Sequence, residues 1–264
     1  MENKSHVSLV TGASQGIGAD IARWLGNAGY RVCLVARSPR ALSDVAADVE
    51  HLGGRCHTVA ADVSDPEACV QAVEETVSRF GRIDGLINNA GILEPLASIT
   101  DADPDDWAYN VAVNLNGPFY LCRAAIPHLV PNNGRIVNVS TGAAVHPMAA
   151  WSAYCASKAG LTHFTRVLAA EEPALTALAV RPGVVDTRMQ EWIRSEGPGV
   201  MSPEKSAYFA QLKLDRRLEP SAIPARSIAW LTLFGPKEWS GEFIEYDDPR
   251  VIGPANAYFG ERIT

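Results

Sequence analysis

The chain has 264 residues, 47% of them hydrophobic, with 30 acidic and 23 basic side chains and a net charge of −7. That length and composition suit one large domain with a buried core, and the acidic balance excludes a polyanion such as nucleic acid as the expected partner. Five cysteines, at positions 33, 56, 69, 122 and 155, have no Cys-x-x-Cys spacing, and an odd, scattered set fits a reducing compartment better than a disulfide scaffold.

The first apolar run predicts a strand at residues 6–10, too close to the N-terminus to leave room for a signal peptide. The turn Thr11-Gly12-Ala13-Ser14-Gln15-Gly16-Ile17-Gly18 follows, and then Ile21, Ala22 and Leu25 recur at helical spacing. Strand, glycine turn, helix is the context in which such a motif binds a dinucleotide. The glycines let the backbone turn sharply, and the N–H groups opening the helix face a pyrophosphate. Further strands are predicted at residues 31–36, 55–60, 85–88, 135–139, 175–180 and 242–246. Between them run amphipathic segments. In the one after Ser64 and Pro66, for example, Cys69, Ala72, Val73, Val77 and Phe80 keep helical spacing until Gly81. Strands alternating with helices predict an α/β fold, a single-domain Rossmann-type doubly wound parallel sheet flanked by helices over residues 1–264. No apolar run reaches membrane-spanning length, and the cytoplasm is the expected location.

Two local patterns carry chemistry. Tyr154 and Lys158 stand four apart, on one face of a predicted helix. A fixed positive charge beside a phenol favours the phenolate, so the pair is expected to form a tuned acid/base. At the end of the second predicted strand the chain reads Val35-Ala36-Arg37-Ser38. A carboxylate there would select NAD by binding the ribose 2′-hydroxyl, whereas an arginine pairs with a 2′-phosphate. NADP(H) is therefore the expected cofactor, with Ser14 adding a hydroxyl and discrimination resting chiefly on Arg37; a solvated turn arginine is the alternative. The six histidines show no metal-ligand spacing, so no metal is expected.

These motifs, in this order, resemble the short-chain dehydrogenase/reductase family. The Gly-x-x-x-Gly-x-Gly turn and Tyr-x-x-x-Lys pair are joined by Asn88-Asn89-Ala90-Gly91, by Asn114 within Val113-Asn114-Leu115-Asn116-Gly117, and by Arg181-Pro182-Gly183. The resemblance covers nearly the whole chain. It implies that Gly12, Ser14, Gln15, Gly16, Ile17, Gly18, Arg37, Asp62, Val63, Asn89, Ala90, Gly91, Tyr154, Lys158, Pro182, Gly183, Val185 and Thr187 bind the cofactor. Asp62 with Val63 would meet the adenine, unless Asp62 only caps the next helix. Tyr154 would protonate the nascent alkoxide, Lys158 would lower its pKa and hold the nicotinamide ribose, and Asn114 would anchor a proton-relaying water. The family's substrate-orienting serine falls at Thr141 here, with Ser140 as the neighbouring alternative. Successive side chains in an extended strand end point to opposite faces, so only one of the two hydroxyls faces the carbonyl.

Within the family, the segments 142–155, 171–173 and 181–190 are similar to the sepiapterin reductase and benzil reductase branch. This implies an NADPH-dependent carbonyl reductase acting on a vicinal diketone or α-hydroxyketone, or the reverse alcohol oxidation. A catalytically silent NADP(H) sensor on the same fold is the alternative. His146, Met148, Trp151, Met189 and Trp192 would form the substrate pocket, although Trp151 equally suits a subunit interface. Residues 187–220, rich in charge, Gly and Pro, are expected to form a substrate lid or a surface helical hairpin. Apolar residues on more than one face around Trp107, Val111, Leu115 and Phe119, and on the Tyr154 helix, predict a homodimer or homotetramer.

Overall fold

The computed structural model describes residues 6–263. Seven parallel strands form one sheet: β1 (Val7–Thr11), β2 (Arg31–Ala36), β3 (Arg55–Ala60), β4 (Gly85–Asn88), β5 (Arg135–Val139), β6 (Thr176–Arg181) and β7 (Phe243–Glu245). Their spatial order is β3-β2-β1-β4-β5-β6-β7. The order reverses between β1 and β4, the switch point where a doubly wound sheet opens a crevice at the strands' carboxyl ends. The predicted strands lie within a residue of the observed ones at each end. The first strand shows why: His6 still gives its carbonyl to the Arg31 N–H, so pairing begins one residue before the ladder.

Strand β1 is buried along its whole length, as expected of a parallel strand covered on both faces. Its side chains alternate between two cores. Val10 joins the layer under α1 (Gly16–Asn27), α2 (Pro39–His51) and α9 (Ala222–Phe234). Leu9 joins the layer under α3 (Pro66–Phe80), α5 (Gly117–Leu129) and α6 (Ser152–Glu171). Helix α3 starts and stops where the sequence predicts. Asp65 caps it by accepting from the Glu67 and Ala68 N–H groups, and Gly81 ends it at φ 80°.

Two features set the site apart from a plain layered sheet. Helix α4 (Pro104–Val111) runs into α5 through a π-helical segment, Ala112–Asn116. Such bulges recur at functional sites because they shift side chains by a fraction of a turn without ending the helix. The second feature is the excursion after β6. Helices α7 (Arg188–Glu196) and α8 (Pro203–Leu214) fold over the carboxyl ends of the strands, and the chain returns through a bridge between Val185 and Glu219. Their buried residues Ile193, Phe209 and Leu212, with Met201 of the connection between them, form a third apolar cluster with Leu93, Trp151 and Tyr154. The stretch predicted as lid or hairpin is thus a helical pair seated on the candidate site. Helix α10 (Pro249–Phe259) completes the fold against α9. Among the described residues, no helix is long and apolar enough to cross a membrane.

Candidate active site

The glycine turn and the end of β4 are built as one piece. Thr11 Oγ1 accepts from the Asn89 and Ala90 N–H groups at 3.0 and 3.1 Å, and Asn89 Nδ2 donates back to the Thr11 carbonyl at 2.9 Å. Gly12 holds φ 63°, where a Cβ would stand 2.8 Å from Ala90 Cα. A Cβ on Gly18 would lie 2.4 Å from the Gly12 carbonyl oxygen. Both distances are below any real Cβ contact, so the turn closes only with glycine. Gln15 occupies the N-cap of α1 without a side-chain cap bond, and the helix's first turn carries no acid. Its opening N–H groups are therefore free to meet an anion.

From this turn a continuous cleft of about 1420 Å³ runs along the strand ends to the helical pair. It is lined by Gly12, Ser14, Gln15, Gly16 and Ile17, by Arg37, Asp62 and Val63, and by Asn89, Ala90 and Gly91. On the far side lie Pro182, Gly183, Val185 and Thr187, with Thr141, Tyr154 and Lys158 between the two walls. Three expected site residues stand elsewhere. Gly18 serves the turn from behind by packing on Gly12. Trp192 packs into the third apolar cluster while Met189 and Ile193 of the same helix line the cleft. Asn114 is fully buried off the cleft.

The Asn114 side chain is committed to protein. Its Oδ1 accepts from the Ile92 N–H at 3.0 Å, while Nδ2 donates to the Ile92 carbonyl at 2.7 Å and to Asn110 Oδ1 at 2.8 Å. Ser157 also donates to Asn110 Oδ1, at 2.8 Å. The network ties the π segment, the loop after β4 and α6 together. Asn114 therefore acts first as a brace behind Gly91 and Lys158.

Tyr154 and Lys158 lie on α6, one turn apart and both buried. Lys158 Nζ donates to the Val139 carbonyl at 2.8 Å and sits 6.0 Å from the centre of the Tyr154 ring. A lysine carries three donors. The other two have no hydrogen-bond partner among the described residues, a buried cation offering protons to the cleft. Burial pushes the Lys158 ammonium down to about 8. Burial also pushes the Tyr154 phenol up to about 12, against the opposing effect of its hydrogen bond with Thr141. Proximity to lysine was expected to lower the tyrosine. Desolvation dominates instead and raises it, so the phenol keeps its proton at neutral pH.

The two candidate hydroxyls after β5 divide as strand alternation requires. Ser140 Oγ is buried against α6, bonded to Thr162 Oγ1 at 2.7 Å. Thr141, in extended conformation at φ −160°, lines the cleft with Tyr154, whose pKa its hydroxyl lowers, and accepts from the Ala143 N–H.

Trp151 settles into the site rather than onto an outer surface. Its ring stacks on Phe209 at 5.7 Å, stands edge-on to Tyr154 at 6.0 Å, and its Nε1–H donates to Met201 Sδ. Met148 and His146 line the same stretch of cleft. Phe209, Tyr109 and Asn110 also belong to this region, none of them marked by a sequence motif. Each reaches the site through a tertiary contact that no local spacing announces.

The sequence profile of the short chain dehydrogenase family matches residues 6–197. A benzil reductase ((S)-benzoin forming) of Saccharomyces cerevisiae is 35% identical over 260 residues, covering 94% of this chain and 98% of that protein. The crystal structure of a short chain dehydrogenase/reductase from the same yeast superposes with a TM-score of 0.89 at 37% identity, over 94% of this chain and 98% of that one. The crystal structure of the KRED1-Pglu enzyme gives 0.86 at 40% identity, over 90% and 99%.

The depressed Lys158 value sets a pH signature for stability. Between pH 8 and 10.5 the unfolded chain keeps a proton that the folded protein has released, so folding stability from this group rises with pH through that window. Lys158→Met removes the cost of burying a charge at neutral pH. Its stability relative to wild type should therefore fall as pH rises from 8 to 10.5, by on the order of 3 kcal/mol. Urea unfolding at several pH values measures this, and a pH-independent difference would contradict it.

Proposed function

The chain belongs to the short-chain dehydrogenase family, and from that premise we propose that it is an NADPH-dependent carbonyl reductase acting on vicinal diketones or α-hydroxyketones. The observation that carries this reading is the buried Tyr154 phenol at the cleft wall beside Thr141, with the Lys158 ammonium one helical turn below and 6.0 Å from the ring centre. The cleft fits the cofactor on this chain's own terms, with a glycine turn no side chain can enter, uncapped helix N–H groups and a buried cation with donors to spare. When bound, the nicotinamide supplies the hydride.

The protein's residues do the rest. Tyr154 and Thr141 both present hydroxyls to a substrate carbonyl oxygen and hold it in place. As negative charge builds on that oxygen, their hydrogen bonds strengthen, which is where catalysis gains over ground-state binding. Tyr154, protonated at neutral pH, then delivers its proton to the oxygen. Lys158 stabilises the phenolate left behind and offers its remaining donors to ribose hydroxyls. Asn114 keeps Lys158 and Gly91 in register, and a water at this end of the site would return the proton to Tyr154. Met148, Trp151, Met189 and Phe209 supply an apolar, aromatic wall that excludes water and suits an aryl ketone. The helical pair over residues 187–220 would act as the substrate lid.

A cofactor sensor would need the glycine turn and Arg37 but not a desolvated lysine beneath a desolvated tyrosine. Burial of two such groups is costly and is kept where chemistry uses it. The benzil reductase relative supports the diketone class, and Arg37 at the end of β2 supports NADPH.

Three outcomes check this reading. Tyr154→Phe should abolish diketone reduction while cofactor affinity stays within about twofold, because the ring persists and only the proton is lost. Thr141→Val should lower kcat by roughly 10²-fold with a smaller effect on KM, and Ser140→Ala should cost far less. A silent Thr141→Val would move the orienting role elsewhere.

Arg37→Ala should weaken NADPH relative to NADH by about tenfold or more, the value of a hydrogen bond to a charged group. Equal efficiency changes with both cofactors, read as kcat/KM, would remove the 2′-phosphate assignment.

The protein is also proposed to form a homodimer or homotetramer through α4–α5 and α6. Trp107, Phe119 and Val167 are large apolar residues left exposed on these helices, as a covered interface would require. Light scattering at micromolar concentration should give a multiple of 28.3 kDa, and the mass of a single chain would refute the assembly.

A further inference from the structure

Arg37, Tyr109 and Asp62 come from three separate places in the chain, the end of β2, the helix α4 and the loop after β3, and meet along one edge of the cleft. Arg37 Nη1 donates to the Tyr109 hydroxyl at 3.3 Å, and that hydroxyl donates to Asp62 Oδ2 at 3.0 Å. The other Asp62 oxygen accepts from the Ser64 N–H at 2.9 Å and the Ser64 hydroxyl at 2.8 Å. Arg37 makes no other hydrogen bond among the described residues and is exposed. The sequence gives no sign of this chain of bonds, and an arginine free of nearby carboxylates was expected.

We propose that Tyr109 is a specificity-determining residue for the cofactor, its hydroxyl tethering Arg37 so that the rest of the guanidinium fork faces a ribose 2′-phosphate. The inference rests on the reading that Arg37 binds that phosphate. An exposed arginine holds considerable rotamer entropy, which binding must remove. The tether removes part of it beforehand. It uses one of the five guanidinium N–H groups, so a bidentate grip on phosphate remains available.

Asp62 fixes the sense of the tether. Because Ser64 anchors the carboxylate and the carboxylate accepts the phenol's hydrogen bond, the phenol's lone pairs are what face Arg37. The phenol also stands between the two charges. Without it, Asp62 would be free to pair with the guanidinium directly and compete with the phosphate for the same donors. Loss of the hydroxyl therefore weakens phosphate recognition by two routes of the same sign, and neither touches the nicotinamide end.

Isothermal titration with adenosine 2′,5′-bisphosphate and with 5′-AMP tests this without turnover, since both lack the nicotinamide. Tyr109→Phe keeps the ring on an exposed helix face and should bind the bisphosphate about five- to tenfold more weakly, with 5′-AMP changed less than about twofold. In an Arg37→Ala background the same exchange should leave the ratio of the two affinities unaltered. Equal weakening of both ligands would reduce Tyr109 to a structural role and overturn the proposal. So would no change in either ligand while Arg37→Ala loses the bisphosphate preference, which leaves the Arg37 reading standing. If Arg37→Ala itself retains the preference, the cofactor reading fails and this inference fails with it.

Discussion

A buried ammonium group held by a single protein carbonyl is the constraint around which the site is organised. Lys158 gives one hydrogen bond, to Val139 at the end of β5, and burial favours its neutral form. An arrangement of that kind persists only if the surrounding chain is fixed well enough to prevent the side chain from swinging out. Three elements do the fixing. Strand β5 ends where its last carbonyl is still available, helix α6 brings Tyr154 and Lys158 to the same face, and the π segment swings Asn114 against the loop after β4. Ser157, next to Lys158, shares Asn110 with Asn114, so the helix that bears the acid/base pair is locked to the loop that bears Gly91.

The same rigidity passes to the other half of the cleft. Thr11 and Asn89 weld the glycine turn to the end of β4 across the switch point of the sheet, so the glycine turn and the Tyr154–Lys158 end of the cleft share one frame. The helical pair α7–α8 is held differently, by apolar contact. Phe209 stacks on Trp151, which in turn stands edge-on to Tyr154. Aromatic surfaces thus stand directly beside the Tyr154 phenol. Dispersion and apolar burial dominate there, while hydrogen bonding dominates at the cofactor end.

What the sequence disclosed follows the range of the physics involved. The glycine turn, the Tyr154–Lys158 pair and the caps of α3 are local: backbone sterics and helical periodicity act over a few residues. That Thr141 and Ser140 diverge was also legible, because strand alternation sends successive hydroxyls to opposite faces; which of them meets α6 was not, and the structure bonds Ser140 to Thr162 there. The strands were legible as apolar runs because a parallel sheet is covered on both faces. The Tyr109 bridge between Arg37 and Asp62 was not legible, since it joins residues distant in the chain through side chains alone. The balance of the Tyr154 phenol was misjudged for a related reason. Spacing reveals that a lysine is near, whereas desolvation depends on how completely the helical pair α7–α8 and the core cover both groups. Trp192, expected in the pocket, packs in the third apolar cluster without lining the cleft, while Met189 and Ile193 of the same helix do both.

The claim that most needs a direct test is that hydride and the Tyr154 proton reach the two ends of one carbonyl group in this cleft. Reduction of benzil by the purified protein with NADPH dideuterated at C4, followed by mass spectrometry and NMR of the product, makes that test. The account predicts benzoin with one deuterium on the carbinol carbon and a solvent-derived proton on oxygen. Benzoin formed without deuterium, or no reduction of benzil or related diketones, would contradict it.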